Sequence, residues 1–338
     1  MKKVTLFKSA VLALLACVGI AACNNDATEV PTEPEAYTVK LGWAGEILDV
    51  SYEPLTRATT DDLYGIQVYS MPKTSSTPIW TPYAYGLFDD PNNITATLAS
   101  GYKYKFIATM VKDGKNRIYI HKENEGDSEG YYQAPFFVKL GNQLYCDDES
   151  YFLFDDGLSS LIEDGGFRNY IRPNIERFYG ELSDYIPGED NTNAQIDMKR
   201  TSFGAKFIAG GNLAIDGKLE IEIHGAPKME LALTAGADEI SDIFTFEKVR
   251  SAWSENDYTE DIAVNFKWIR ADGTEAPLGT HTIAFKRNVT TVVKVNIEKN
   301  DNDDNLSYDI SLGFKFDESE TGVMPDGDEV TITNGQME

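Results

Sequence analysis

The chain has 338 residues, and at about 150 residues per domain that length suggests two domains. Hydrophobic residues make up 42% of it, with 17 Phe and 18 Tyr, which is enough for real cores and too much for bulk disorder. Against 30 Lys and Arg stand 55 Asp and Glu, a net charge of −25 that repels phosphate backbones and anionic bilayers, so no nucleic-acid role is expected and membrane attachment needs an anchor.

Residues 1–22 read as a targeting segment. Lys2, Lys3 and Lys8 supply a basic region, and an apolar stretch runs from Ala10 to Ala22, too short for a comfortable transmembrane helix. It ends in Ile20-Ala21-Ala22-Cys23, small residues before a cysteine that resemble the bacterial lipobox. There the thiol is diacylated and the peptide is cut before it, so Cys23 is the expected lipidation site. Leu14-Leu15-Ala16-Cys17 fits loosely too, but cutting there would leave apolar Val18–Ala22 at the terminus. Several acyl chains on Cys23 would hold the protein firmly on a membrane. Loss of the three lysines takes the net charge from −25 to −28. Of the three cysteines only Cys146 then remains with a free thiol, which excludes an intrachain disulfide and a cysteine-type zinc site. Asp147 and Asp148 beside it discourage a thiolate, and a half-buried structural cysteine is expected.

The mature chain opens with an acidic, proline-bearing tether over residues 23–35. From Tyr37 the dominant period is two, the mark of half-buried strands. Trp80, Tyr83, Tyr85 and Phe88 form a dense aromatic group, with Tyr83 and Tyr85 on one strand face and Trp80 the best candidate for an exposed, ligand-contacting ring. Tyr102, Tyr104, Phe106, Ala108 and Met110 share a face; so do Leu219, Ile221 and Ile223, then Ile262, Val264, Phe266 and Trp268, and then Val289, Thr291, Val293, Val295 and Ile297. Tyr308, Ile310, Leu312, Phe314 and Phe316 form a last set, and Trp253 with Trp268 fit a core of the second half. Asp113-Gly114, Asp216-Gly217 and Asp272-Gly273 predict hairpins, because Asp-Gly tolerates the positive φ of a type I′ turn. Leu158–Glu163 and Glu239–Arg250 are the only helical candidates.

Tyr185–Asn193 (YIPGEDNTN) interrupts the pattern, which predicts one antiparallel β-sandwich over 36–184 and another over 194–317. Residues 318–338 form an acidic tail with a short strand candidate at Val330–Thr333. No internal repeat of fixed period is visible.

No catalytic constellation emerges. His121, His224 and His281 lie in different predicted hairpins, and no His-Glu-x-x-His, phosphate loop or Gly-x-Ser-x-Gly elbow is present. The acidic run Asp301–Asn305 lacks the Gly and Glu of an EF-hand loop and reads as a solvated hairpin tip. No enzyme, cofactor or metal site is expected. A glycan-binding surface built from exposed rings near Trp80 is the alternative to a structural role.

Together, the lipobox at Cys23, a first strand at Tyr37–Gly42 and Leu55-Thr56-Arg57-Ala58 before Leu63–Tyr69 resemble the fimbrillin-type pilins and related fimbrial lipoproteins of anaerobic gut and oral bacteria. Ile196-Asp197-Met198-Lys199-Arg200 and Phe285-Lys286-Arg287-Asn288 before a Thr- and Val-rich strand add to the likeness. The resemblance implies two transthyretin-like all-β sandwiches in tandem and export as an outer-membrane lipoprotein. It also implies cleavage by an arginine-specific protease after the first strand, here at Arg57, and filling of the emptied groove by a donor strand from the next subunit. Tyr37–Val50 would be the removable strands and Val330–Thr333 a donor. Members that anchor or cap the fibre stay uncut and lipidated.

Overall fold

A computed structural model describes residues 35–47, 61–74, 76, 78–122, 130–146, 152–211, 217–233, 238–299 and 306–314. Cys23, Arg57, Asp301–Asn305 and the tail candidate Val330–Thr333 lie outside them. The protein is all-β, as expected. In chain order the strands of the first half are β1 (Ala36–Gly45), β2 (Leu63–Pro72), β3 (Thr81–Phe88), β4 (Thr95–Ala99) and β5 (Tyr102–Val111), then β6 (Ile120–His121), β7 (Tyr131–Tyr132), β8 (Val138–Lys139) and β9 (Tyr145–Cys146). They are followed by β10 (Ser159–Glu163), β11 (Gly166–Tyr170), β12 (Arg177–Tyr185) and β13 (Asn193–Arg200). The second half adds β14 (Ser202–Gly211), β15 (Lys218–Ile223), β16 (Met229–Ala232), β17 (Asp238–Thr245), β18 (Thr259–Ile269), β19 (Glu275–Lys286), β20 (Thr290–Lys299) and β21 (Leu306–Phe314). Among the described residues there are also two short helices, α1 (Gly114–Arg117) and α2 (Val249–Ser254).

The first half is one eight-stranded sheet in the order β4-β1-β13-β12-β5-β2-β3-β9. It curls until its flanks meet: the Tyr83 hydroxyl on β3 donates to the Thr97 carbonyl on β4 at 2.9 Å. The inner face closes around Val39, Leu41, Ile66, Val68, Leu98, Phe106, Phe178 and Ile196. Its outer face is also buried, under the β6–β11 excursion, through Leu63, Leu87, Ile107, Val111, Phe136 and Phe154. The second half is a sandwich of two four-stranded sheets, β17-β14-β20-β21 and β16-β15-β18-β19. Alternate side chains of both meet between them, with Phe207 edge-on to Phe266 at 5.8 Å.

The two halves repeat one topology. β4-β1-β13 corresponds to β17-β14-β20, and β12-β5-β2-β3 to β19-β18-β15-β16. In each, the first strand runs parallel to the last of the unit, β1 with β13 and β14 with β20. The sheets are therefore mixed, where the sequence pointed to antiparallel pairing alone. The repeat is invisible as a sequence period because the β6–β11 excursion lies between β5 and β12, whereas a tight turn at Asp272-Gly273 joins their counterparts β18 and β19.

Several local expectations fail for physical reasons. Asp113-Gly114 opens α1 instead of a hairpin, with Asp113 at φ 55° and its N–H donating to Asp62 Oδ1 at 2.8 Å. Asp216 lies outside the described residues, but the strands on either side of it, β14 and β15, belong to different sheets and do not pair. Within Leu158–Glu163 the chain forms strand β10 from Ser159, paired with β11. Glu239–Arg250 is mostly β17, whose Phe244, with Phe246 beyond it, faces the core; helix begins only at Val249. Tyr185–Asn193 connects β12 and β13, a hairpin inside the first sheet, so the passage between halves comes at Thr201.

Candidate functional site

β1 is the element the first sheet treats unusually. It is an interior strand, antiparallel to β4 and parallel to β13, with neither neighbour adjacent in sequence. Its pattern explains the seat. Val39 and Leu41 point into the inner core while Lys40 and Thr38 face solvent, the alternation expected of a strand with one buried face. Ladder bonds reach both ways, for example Lys40 N–H to the Thr192 carbonyl at 2.8 Å and Leu41 N–H to the Ile94 carbonyl at 2.9 Å. Trp43 lies against Tyr64, ring centroids 5.6 Å apart, and its indole N–H donates to the Pro91 carbonyl at 3.1 Å.

The strand ends at Gly45, whose φ is +80°. A side chain there would meet Asp197 Oδ1 at 2.1 Å and the Met198 carbonyl at 2.8 Å, so both conformation and space require glycine. Beyond it Ile47 is buried in the inner core and Glu46 turns to the second half. Burying Val39, Leu41 and Ile47 contributes about 1.5–3 kcal/mol each. A cut after β1 would therefore not by itself expel it; another strand must compete for the seat.

At the same end the two halves are stitched by buried arginines. Arg200, closing β13, donates from Nε to Glu176 Oε1 at 2.8 Å, and its guanidinium also touches Asn288. Arg287, between β19 and β20, donates to the Arg200 carbonyl at 3.1 Å and to the Asn256 carbonyl at 3.2 Å. Arg172 pairs with Glu247 at 2.7 Å and Glu260 at 2.5 Å. In the sequence Arg200 and Arg287 stand out only as members of the two segments that add to the likeness. Each follows a lysine at the end of a strand, and nothing in that pattern separates a buried arginine from a solvated one.

The aromatic group around Trp80 is divided. Trp80 is half-buried just before β3, and Phe88 is buried in the inner core. Tyr83 and Tyr85 do not share a face. A bulge in the β2–β3 pairing, which steps from Val68↔Ala84 to Tyr69↔Pro82, turns Tyr83 inward onto Tyr104 and Tyr85 outward onto Phe152. Trp253 packs on Tyr179 of the first half rather than in the second core, whereas Trp268 is in that core as expected. Cys146 is exposed, not half-buried, because β9 is a two-residue edge strand.

Other chemistry is sparse. Among the described residues, no cluster of three or more His, Cys, Asp or Glu side chains is arranged for a metal, and no helix is long and apolar enough to cross a membrane. An open cleft of about 530 Å³ lies at the junction, lined by Lys112, Arg117, Asn174, Lys206, Asp242 and Thr290 among others. Its groups are largely engaged with one another: Asn174 donates to Asp242 at 2.8 Å, and Lys112 pairs with Glu176 at 3.3 Å.

No family model matches the chain, and no curated protein does. Among solved structures it is similar to the fimbrial anchor protein Mfa2 from Porphyromonas gingivalis, at 8% identity and TM-score 0.38, over 87% of this chain and 99% of that one. A candidate adhesin from Bacteroides thetaiotaomicron matches at 10% identity and TM-score 0.37, covering 84% and 97%. The tip fimbrial protein Mfa3 from Porphyromonas gingivalis, with a C-terminal truncation, matches at 8% and TM-score 0.27, covering 82% and 97%. These are proteins of the kind the sequence resembles.

Proposed function

We propose that the chain is a non-enzymatic surface lipoprotein, anchored to the outer membrane through Cys23, that serves as a fimbrillin-like subunit or as a tip or anchor protein of an adhesive pilus. Its partners are other subunits, and in the cut, shaft-forming role they engage it when a donor strand takes the place of β1. One observation carries the reading: β1 is an interior strand with two buried alternate side chains and no sequence-adjacent neighbour, joined to β2 by the segment that holds Arg57. Withdrawal of such a strand leaves two open edges and a row of apolar pockets, the template for strand addition.

Mass spectrometry of the N-terminus, on protein taken from its native cell surface, tests this. A terminus at Ala58 establishes maturation and makes strand exchange the assembly route. An acylated Cys23 with residues 37–57 attached removes the shaft-subunit role and leaves an anchor or tip. A terminus other than these two, without lipid, refutes the proposal.

A further inference from the structure

Glu46 immediately follows the last residue of β1, and its carboxylate is fully used. Both oxygens accept from Arg287 Nη1, at 2.9 and 2.7 Å, and Oε2 also accepts the backbone N–H of Arg200 at 2.8 Å. Arg287 is only 7% exposed, and among the described residues Glu46 is the sole carboxylate paired with it. Its other bonds go to neutral carbonyls. Arg200 cannot share its own counter-ion, because Glu176 is already held by Arg200 and Lys112. When β1 leaves its seat, Glu46 leaves with it. A buried guanidinium then stands without a counter-charge, at the junction of the two halves, and this costs far more than loss of an exposed ion pair.

We infer that the seat of β1 selects its occupant by charge as well as by shape. Resting on the strand-replacement reading above, the inference names the partner. It is an extended segment with two apolar side chains at alternate positions, as at Val39 and Leu41, and a carboxylate five residues after the second. The two apolar residues fill the inner core, and the carboxylate meets Arg287 and the Arg200 N–H. A strand with the right apolar pattern but no acid in that position is rejected.

The mature chain, with a site-specific protease sequence in place of Leu55–Ala58 and then cut, is the test material. Fluorescent peptides spanning Ala36–Ile47 are offered to it, and their entry is read by anisotropy together with release of the chain's own N-terminal fragment. The native peptide is expected to bind at least about thirtyfold more tightly than its Glu46→Gln form, with Glu46→Lys weaker still. Most of the gap should persist in 0.5 M salt, because the guanidinium is buried and the carboxylate half-buried. On Arg287→Met protein the gap should shrink to under threefold; the peptide series on unaltered protein stands alone if that variant does not fold. Equal binding of the native and Glu46→Gln peptides overturns charge selection while leaving strand replacement intact. Entry by neither peptide overturns strand replacement, and the selection falls with it.

Discussion

Arg177, at the start of β12, is fully buried and offers the sharpest test of how the first half is held together. Its Nε donates to Thr109 Oγ1 at 2.9 Å, Nη1 to the Asp156 carbonyl at 2.7 Å, and Nη2 to the carbonyls of Leu153 and Phe154 at 3.1 and 3.0 Å. Burial pulls its pKa down to about 10, the nearby carboxylates of Asp156 and Asp155 opposing the shift, so at neutral pH it remains a cation. One guanidinium thus gathers the 153–156 backbone onto the outer face of the sheet. Arg177→Met keeps the volume and removes four charge-assisted bonds, each worth about 1.5–3 kcal/mol. Relief of the buried charge offsets part of that loss, and a net destabilisation of about 3–5 kcal/mol is expected. At about 2–4 °C per kcal/mol for a cooperative unit of roughly 150–250 residues, the Tm of the first half falls by roughly 6–20 °C. Urea melts give the energy, and proteolytic nicking near 153–156 shows where the structure opens. Arg177→Lys should recover little, since a point charge cannot serve three carbonyls and a hydroxyl. A loss under about 1 kcal/mol, or full recovery with lysine, refutes the account.

Gly45→Ala should cost about 2 kcal/mol or more, because it adds a clash with Asp197 and Met198 to an unfavourable φ. Gly101→Ala, at φ +87° with nothing within 4 Å, carries only the conformational part, about 1 kcal/mol; equal costs in urea melts would show that the crowding at Gly45 is immaterial. Asp62 has a raised pKa, chiefly from burial, so its ionisation opposes folding: its contribution is favourable below the unfolded value and is lost as pH rises through the folded one. Asp62→Asn keeps the acceptor for Asp113 N–H. It should raise stability at pH 7 and have no effect near pH 3, roughly where the unfolded carboxyl is also protonated, as measured by melts across that range. A stabilisation that persists unchanged at low pH would exclude ionisation as its source.

The strands were legible because their alternation is strict: Leu219, Ile221 and Ile223, or Ile262 through Trp268, are buried as the period-two pattern requires. The duplicated topology was not, since it resides in which strands pair and leaves no matching residues behind. Parallel partners such as Lys40 and Asn193 lie far apart in sequence, and no turn signal announces them. Tyr83 and Tyr85 were misplaced by one bulge, which a two-residue period cannot anticipate. Glu46 was missed for another reason. Its partners come from β13 and from the turn after β19, and a single carboxylate among 55 acids carries no local mark of that contact.

The repeated topology also confines the strand exchange proposed above to the first half. β14 occupies in the second unit the place β1 holds in the first, between an antiparallel and a parallel neighbour. Yet β14 follows β13 after the single residue Thr201, whose N–H donates to the Arg177 carbonyl at 2.8 Å. The segment after it, Asn212–Gly217 (NLAIDG), has no Lys or Arg, whereas the segment after β1 holds Arg57. One cut therefore frees β1 from the rest of its unit, but one cut leaves β14 covalently part of the first half. Placing a site-specific protease sequence in 55–58 of one variant and in 212–216 of another puts this to measurement. Both cut chains give two bands in denaturing gels. In native size exclusion with excess Ala36–Ile47 peptide, the first should release its small N-terminal fragment. The second, with excess Ser202–Gly211 peptide, should elute as one species, since separation there requires the whole second sandwich to come away from the arginine-stitched junction. Equal release from both would mean that chain connectivity does not decide which strand can be exchanged.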